Sequence, residues 1–142
     1  MRLGISEILK KANEIDDSEK RIEFLHQHNN NALQIVVKYC FDERIKFILP
    51  QGKAPYKPSE FPDSQGMLYQ EARKLYMFVE NGHPELQKPH NKFKREQLFI
   101  NLLESLDKDD AELIVSVKDK KLPYKRITKK FVDKVFPGLI DG

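Results

Sequence analysis

Apolar residues recur at intervals of three and four along nearly all of this chain, and that spacing restricts it to helix. Ile5, Ile8, Leu9, Ala12 and Ile15 form one such stripe, with Ser6 near its start as a cap. Asp16-Asp17-Ser18-Glu19 marks a helix boundary, and Ile22 and Leu25 share one face of the helix after it. The run Asn29-Asn30-Asn31 breaks that helix and caps a third, which extends to about Phe41. That third segment, ALQIVVKYCF, is apolar on most of its circumference and belongs at the centre of the fold. Its valines also suit a strand, but helical patterns flank it and no alternating segment exists to pair with it.

Two stretches resist helix. Residues 49–63 hold four prolines and a glycine, which excludes regular helix there; Tyr56 and Phe61 favour an ordered loop over a linker. Residues 81–91, NGHPELQKPHN, form a second loop. Between them the spacing predicts a helix from about Ser64 to Glu80, with Leu68, Ala72, Leu75, Tyr76 and Val79 on one face. A long helix follows from about Phe93 to Leu106, carried by Leu98, Phe99, Leu102 and Leu103. Asp107 then caps a helix with Ala111, Leu113, Ile114 and Val117 on its apolar side. Its acids lie early and its lysines late, as the helix dipole favours. The last helix starts at Thr128, stapled by Ile127 and Val132, and ends near Phe136 because Pro137-Gly138 cannot continue it. The expectation is an all-α fold: one compact domain over residues 1–142, of about seven irregularly packed helices, expected to be a monomer.

Catalytic and metal chemistry find little footing. No stretch nears the roughly 20 apolar residues of a membrane span, and the N-terminus lacks the apolar region of a secretory signal. Cys40 is the only cysteine, so no intrachain disulfide is possible and a reducing cytoplasm is the simplest location. It falls in an apolar run, as a buried structural thiol does. The four histidines, His26, His28, His83 and His90, make no metal-ligand spacing. Phosphate-binding glycine loops and a nucleophile elbow are lacking. Asp16-Asp17 and Asp109-Asp110 sit at helix starts, where capping explains them. The expectation is a protein with no catalytic residue, no metal and no cofactor.

What remains is charge. Lys118 to Lys134 holds eight basic residues against Asp119 and Asp133, a net +6. The whole chain carries +3, so everything else sums to −3. Such concentration beside a helix start is what a phosphate backbone requires. The candidate contacts are Lys120, Lys121, Lys125, Arg126, Lys129 and Lys130, with the Thr128 hydroxyl at the helix opening and Tyr124 packing on a sugar or anchoring the loop. A second cluster, Lys88, His90, Lys92, Lys94 and Arg95, precedes the long helix, where cations are unfavourable without an anionic partner. The bland alternative is a solvated lysine-rich face.

Several of these segments resemble the N-terminal DNA-binding domain of T-even-phage-type ATP-dependent DNA ligases. SEILKKANEI, the Asn-rich break and the helix ending YCFDERIKF match over residues 5–48; DDAELIVSV, RITKKFVDKVF and Phe136-Pro137-Gly138-Leu139-Ile140 match over 107–140. The whole chain also looks like an uncharacterised small protein family of marine T-even-like phages, which would place it in the host cell cytoplasm. The resemblance implies an all-helical fold that contacts duplex DNA across the minor groove, through the loop and helix start at Lys125, Arg126, Thr128, Lys129 and Lys130. It carries over no catalytic residue. In the ligases a K-x-D-G adenylation motif follows this domain, whereas Leu139-Ile140-Asp141-Gly142 has leucine in the position of the nucleophilic lysine.

Two functions compete. One is a non-enzymatic protein that grips duplex DNA with little sequence preference, in replication or repair. Six phosphate contacts would give it a log–log salt slope of about −5. The other is a protein-interaction module on the same scaffold. It would bind a replication protein such as a sliding clamp, or a host factor, through the exposed prolines and aromatics of A-P-Y-K-P-S-E-F-P.

Overall fold

Helical spacing resolves into seven α-helices among the residues described by the computed structural model, which are 3–57, 59 and 66–140. They are α1 (Ile5–Asn13), α2 (Ser18–Gln27), α3 (Asn31–Phe41), α4 (Leu68–Glu71), α5 (Lys92–Glu104), α6 (Lys108–Lys118) and α7 (Lys129–Val135). No strand occurs among the described residues; Phe47 and Val79 form an isolated antiparallel bridge.

Side-chain oxygens open most of the helices. Asp17 accepts from Glu19 N at 2.9 Å, Asn30 from Leu33 N at 2.8 Å, Asp107 from Asp110 N at 2.8 Å and Thr128 from Phe131 N at 3.2 Å. Each oxygen takes up a backbone N–H that the first helical turn leaves unpaired. Helix α1 departs from the expected pattern. Ser6 is not its cap but lies inside it, and Gly4 is the cap residue. The free N–H of Ser6 is instead taken at 3.0 Å by Asp110 Oδ1, a carboxylate delivered from α6. A distant acid replaces the local hydroxyl.

The single helix expected over 64–80 is also corrected, with residues 64 and 65 outside the described part. One α-turn, Leu68–Glu71, gives way to a 3-10 helix over Ala72–Phe78. Ala72, Leu75 and Phe78 are all buried. Their constant spacing of three suits a 3-10 helix, in which residues i and i+3 eclipse. Tyr76, expected on the buried face, is instead 43% exposed. The helix stops because the chain turns extended at Val79 and pairs with residues 46–48: Ile48 N donates to Phe78 O at 2.9 Å, and Glu80 N to Lys46 O at 2.8 Å. The following turn then passes so close that a Cβ on Gly82 would lie 1.8 Å from the Tyr76 carbonyl oxygen, so no other residue fits there. Residues 81–91 hold two short 3-10 turns, Glu85–Gln87 and Pro89–Asn91.

Helix α3 is central, packing on α6, α4 and the 3-10 segment. Leu33, Val36, Val37 and Cys40 are buried on it, against Leu75, Leu103, Leu113 and Ile114 in one continuous core. Phe78 meets Phe99 edge-on at 5.2 Å, tying the 3-10 segment to α5. Helix α7 packs on α2, with Arg21 between them. The Arg21 guanidinium lies 5.0 Å over the Phe131 ring and donates to Ile15 O and Asp16 O, fixing the α1–α2 turn.

Candidate nucleic-acid interface

The basic segment between α6 and α7 begins with a helix end in the left-handed conformation. Lys120 has φ +61°, Lys120 N donates to Val117 O at 2.9 Å and Lys121 N to Ser116 O at 3.0 Å, a Schellman termination of α6. Glycine normally fills this position. Here the side chain of Lys120 compensates. Its ammonium donates to the carbonyls of Tyr39, Asp42 and Ile45 at 2.6, 2.8 and 2.8 Å, binding the end of α3 and the loop after it. Burial pulls its pKa below the ordinary lysine range, while Asp42 and Glu43 partly restore it.

Lys120 is therefore an internal tether, and its placement among the phosphate contacts is corrected. Lys118, which supplies part of the +6, is 2% exposed and donates to Pro50 O, Gly52 O and Asp119. Arg95 is likewise a structural cation. It is 9% exposed and donates to Ile48 O at 2.9 Å and Leu86 O at 2.6 Å, which removes it from the second cluster. In each case backbone carbonyls at a helix end or in a loop recruit the cation, since carbonyls without a backbone donor need another.

Arg126 is partly engaged. Its Nη2 pairs with Asp16 at 2.6 Å, its Nη1 donates to Asn13 O at 2.8 Å, and its own N–H is held by Asn13 Oδ1 at 2.9 Å. These bonds dock the loop onto the α1–α2 turn. Tyr124 is half-buried, its hydroxyl 3.5 Å from Ser6 O. Burial and the neighbouring Asp109, Asp110 and Glu112 push its pKa up to about 12. Beside it, a cleft of about 300 Å³ is lined by Glu7, Asp109 and Glu112 as well as Lys10. Of the two roles open to Tyr124, these surroundings fit the anchor. Thr128 Oγ1 accepts from Phe131 N, so it serves its own helix.

Lys121, Lys125, Lys130 and Lys134 are exposed, and Lys129 is half-buried. Lys130 and Lys134 lie one turn apart on the same face of α7. The exposed part of the segment is thus a row of lysines carried on a loop and helix whose inner side is fastened by Arg126, Ile127 and Phe131.

Lys92 and Lys94 are exposed on the first turn of α5, a helix without a side-chain cap or an acid in that turn. This cluster sits on a different part of the packing: α5 rests on α6 and the 3-10 segments, whereas α7 rests on α2. The charge pattern passes over Phe93, which stands between these two lysines and is 80% exposed. Its register could have shown this. Arg95, Phe99, Leu102 and Leu103 define the buried stripe, and Phe93, two residues before Arg95, falls roughly 135° from the centre of that stripe.

Among the described residues no group of three or more His, Cys, Asp or Glu side chains could hold a metal ion, and no helix is long and apolar enough to cross a membrane. Comparison with curated proteins finds no match. The model of one family matches residues 8–124, from α1 through Tyr124, and the chain belongs to that family, the family of unknown function DUF6433.

Proposed function

We propose that this chain is a non-enzymatic DNA-binding protein that grips the duplex phosphate backbone with little sequence preference. One observation carries the reading. After the structural cations are set aside, Lys121, Lys125, Lys130 and Lys134 still project into solvent from a segment anchored on its inner side. Lysine meets a phosphate as a point charge, and a phosphate contact carries no sequence information. The ligase-like pattern of residues 5–48 and 107–140 supports the same reading, with replication or repair as its setting.

Four contacts in place of six lower the expected log–log salt slope to about −4. Fluorescence anisotropy with two duplexes of unrelated sequence should give equal affinities at low salt and that slope on titration. Failure to bind either duplex at low salt would remove the proposal.

A protein-interaction reading has one observation in its favour. An apolar hollow of about 100 Å³ opens between residues 49–55 and α5, lined by Leu49, Pro50, Pro55, Phe99 and Ile100. Phe61, also named for this role, lies outside the described residues. Partners that stay bound after nuclease treatment would favour this second reading.

A further inference from the structure

We propose that Phe93, flanked by Lys92 and Lys94, is a stacking platform for an unpaired base, so that the nucleic acid bound by this protein includes single-stranded nucleotides. This rests on the nucleic-acid reading above but uses the opening turn of α5 in place of the lysines around α7.

The opening turn of α5 combines three properties. First, Phe93 is 80% exposed, while Phe99, Leu102 and Leu103 of the same helix are buried. Exposing a phenyl ring forgoes the stabilisation that its burial would give. Second, cations surround it. Lys92 and Lys94 are exposed on either side, and Lys88, exposed and paired with Glu85 at 2.9 Å, precedes them. Third, the turn is rigidly held. Arg95 clamps it to Ile48 O and Leu86 O, and Asn91 Nδ2 donates to Glu85 O at 2.7 Å. A preformed surface loses little freedom when it binds.

The chemistry that matches is a flat π-system attached to negative charge. Single-stranded nucleic acid offers this: bases stack on aromatic rings while phosphates meet flanking cations. An intact duplex does not, because its bases already stack on each other. Charge complementarity therefore favours an unpaired strand, a gap or a frayed end. A lipid surface fits less well, since an interfacial helix needs a broad apolar face. The only other large hydrophobic residue exposed among the described residues is Tyr76.

The chain has no tryptophan, so Phe93→Trp installs a single fluorescent reporter at the point in question. Titration of the F93W protein with short oligothymidylate at low salt should quench its emission saturably. A blunt duplex, whose binding is followed by anisotropy of its own label, should leave the emission nearly unchanged. Phe93→Ala should weaken oligothymidylate binding on the order of tenfold and leave duplex binding as it was. Duplex binding without quenching by the single strand would overturn this inference and spare the duplex reading. Binding of neither would overturn both. Emission that responds to phosphatidylserine vesicles and not to oligothymidylate would assign the surface to membranes and overturn the inference.

Discussion

Lys120 donates its ammonium to the carbonyl of Tyr39 at 2.6 Å, joining the end of α6 to the end of α3 across 81 residues of chain. The same nitrogen serves Asp42 O and Ile45 O. A cation at the C-terminus of α3 also faces the negative end of that helix dipole. Lys120→Ala is expected to destabilise the protein by about 2–4 kcal/mol, the scale of losing charged hydrogen bonds to buried carbonyls. Lys120→Gly should be milder by about 1 kcal/mol, because glycine tolerates the left-handed conformation that alanine does not. Urea unfolding of both variants tests the order. Equal loss in the two would mean that the φ of +61° carries no strain.

Lys125→Ala and Lys130→Ala separate binding from folding. Both side chains are exposed, so stability should change by less than about 0.5 kcal/mol. Each substitution should weaken duplex binding on every sequence alike and reduce the magnitude of the salt slope by about 1. Arg126→Ala should differ from both by also lowering stability, because Arg126 holds Asp16 and Asn13. Anisotropy across a salt series, beside thermal melts, checks the contrast.

Asp110 is 1% exposed; its Oδ1 accepts from Ser6 N, and its Oδ2 has no hydrogen-bond partner among the described residues. Burial is the main cause raising its pKa above the ordinary 3.8, with Asp107 and Asp109 adding to it and Ser6 opposing it. A carboxyl raised in this way favours the fold fully below pH 3.8, and that contribution is lost as pH rises through the folded value. Asp110→Asn keeps an acceptor for Ser6 N without the charge. It should equal or exceed the native protein in stability at neutral pH, with its relative advantage shrinking in acid. Asp110→Ala should lose about 1–2 kcal/mol through the unpaired helix start. Denaturant titrations at several pH values read both effects.

Tyr124 should resist ionisation. Its pKa of about 12 exceeds the ordinary 10.0, so its contribution to stability is complete below pH 10.0 and is lost as pH climbs toward 12. Burial also raises Tyr39 and Tyr56, so tyrosinate absorbance should rise late, and Tyr124→Phe should remove the latest part of that rise. An ordinary titration of all five tyrosines would contradict the anchored placement.

Cys40 is buried on α3, and burial pushes its thiol up to about 11 despite the nearby Lys120. Thiolate is the reactive form. A disulfide reagent at neutral pH should therefore modify Cys40 only at the rate of global opening and promptly in urea. Rapid reaction in the folded state would show that α3 is not the centre of the core.

The sequence by itself determined the helices and most of their ends. Spacing of three and four marked α1, α3, α5 and α6, and the Asn29–Asn31 run, Asp107 and Thr128 marked the openings of α3, α6 and α7, because stripes and caps are local properties of neighbouring residues. It also located the positive charge, but not the use of each cation. Lys120 and Lys125 look alike in the chain; one turns inward onto carbonyls of a loop 75 or more residues away, and the other faces water. The same holds for Arg95, Asp110 and Phe93, and for the 3-10 segment that ends against residues 46–48. Which carbonyls lack donors, and which side of a helix start is left uncovered, depends on how distant segments pack. Those facts come into being only when the tertiary structure closes.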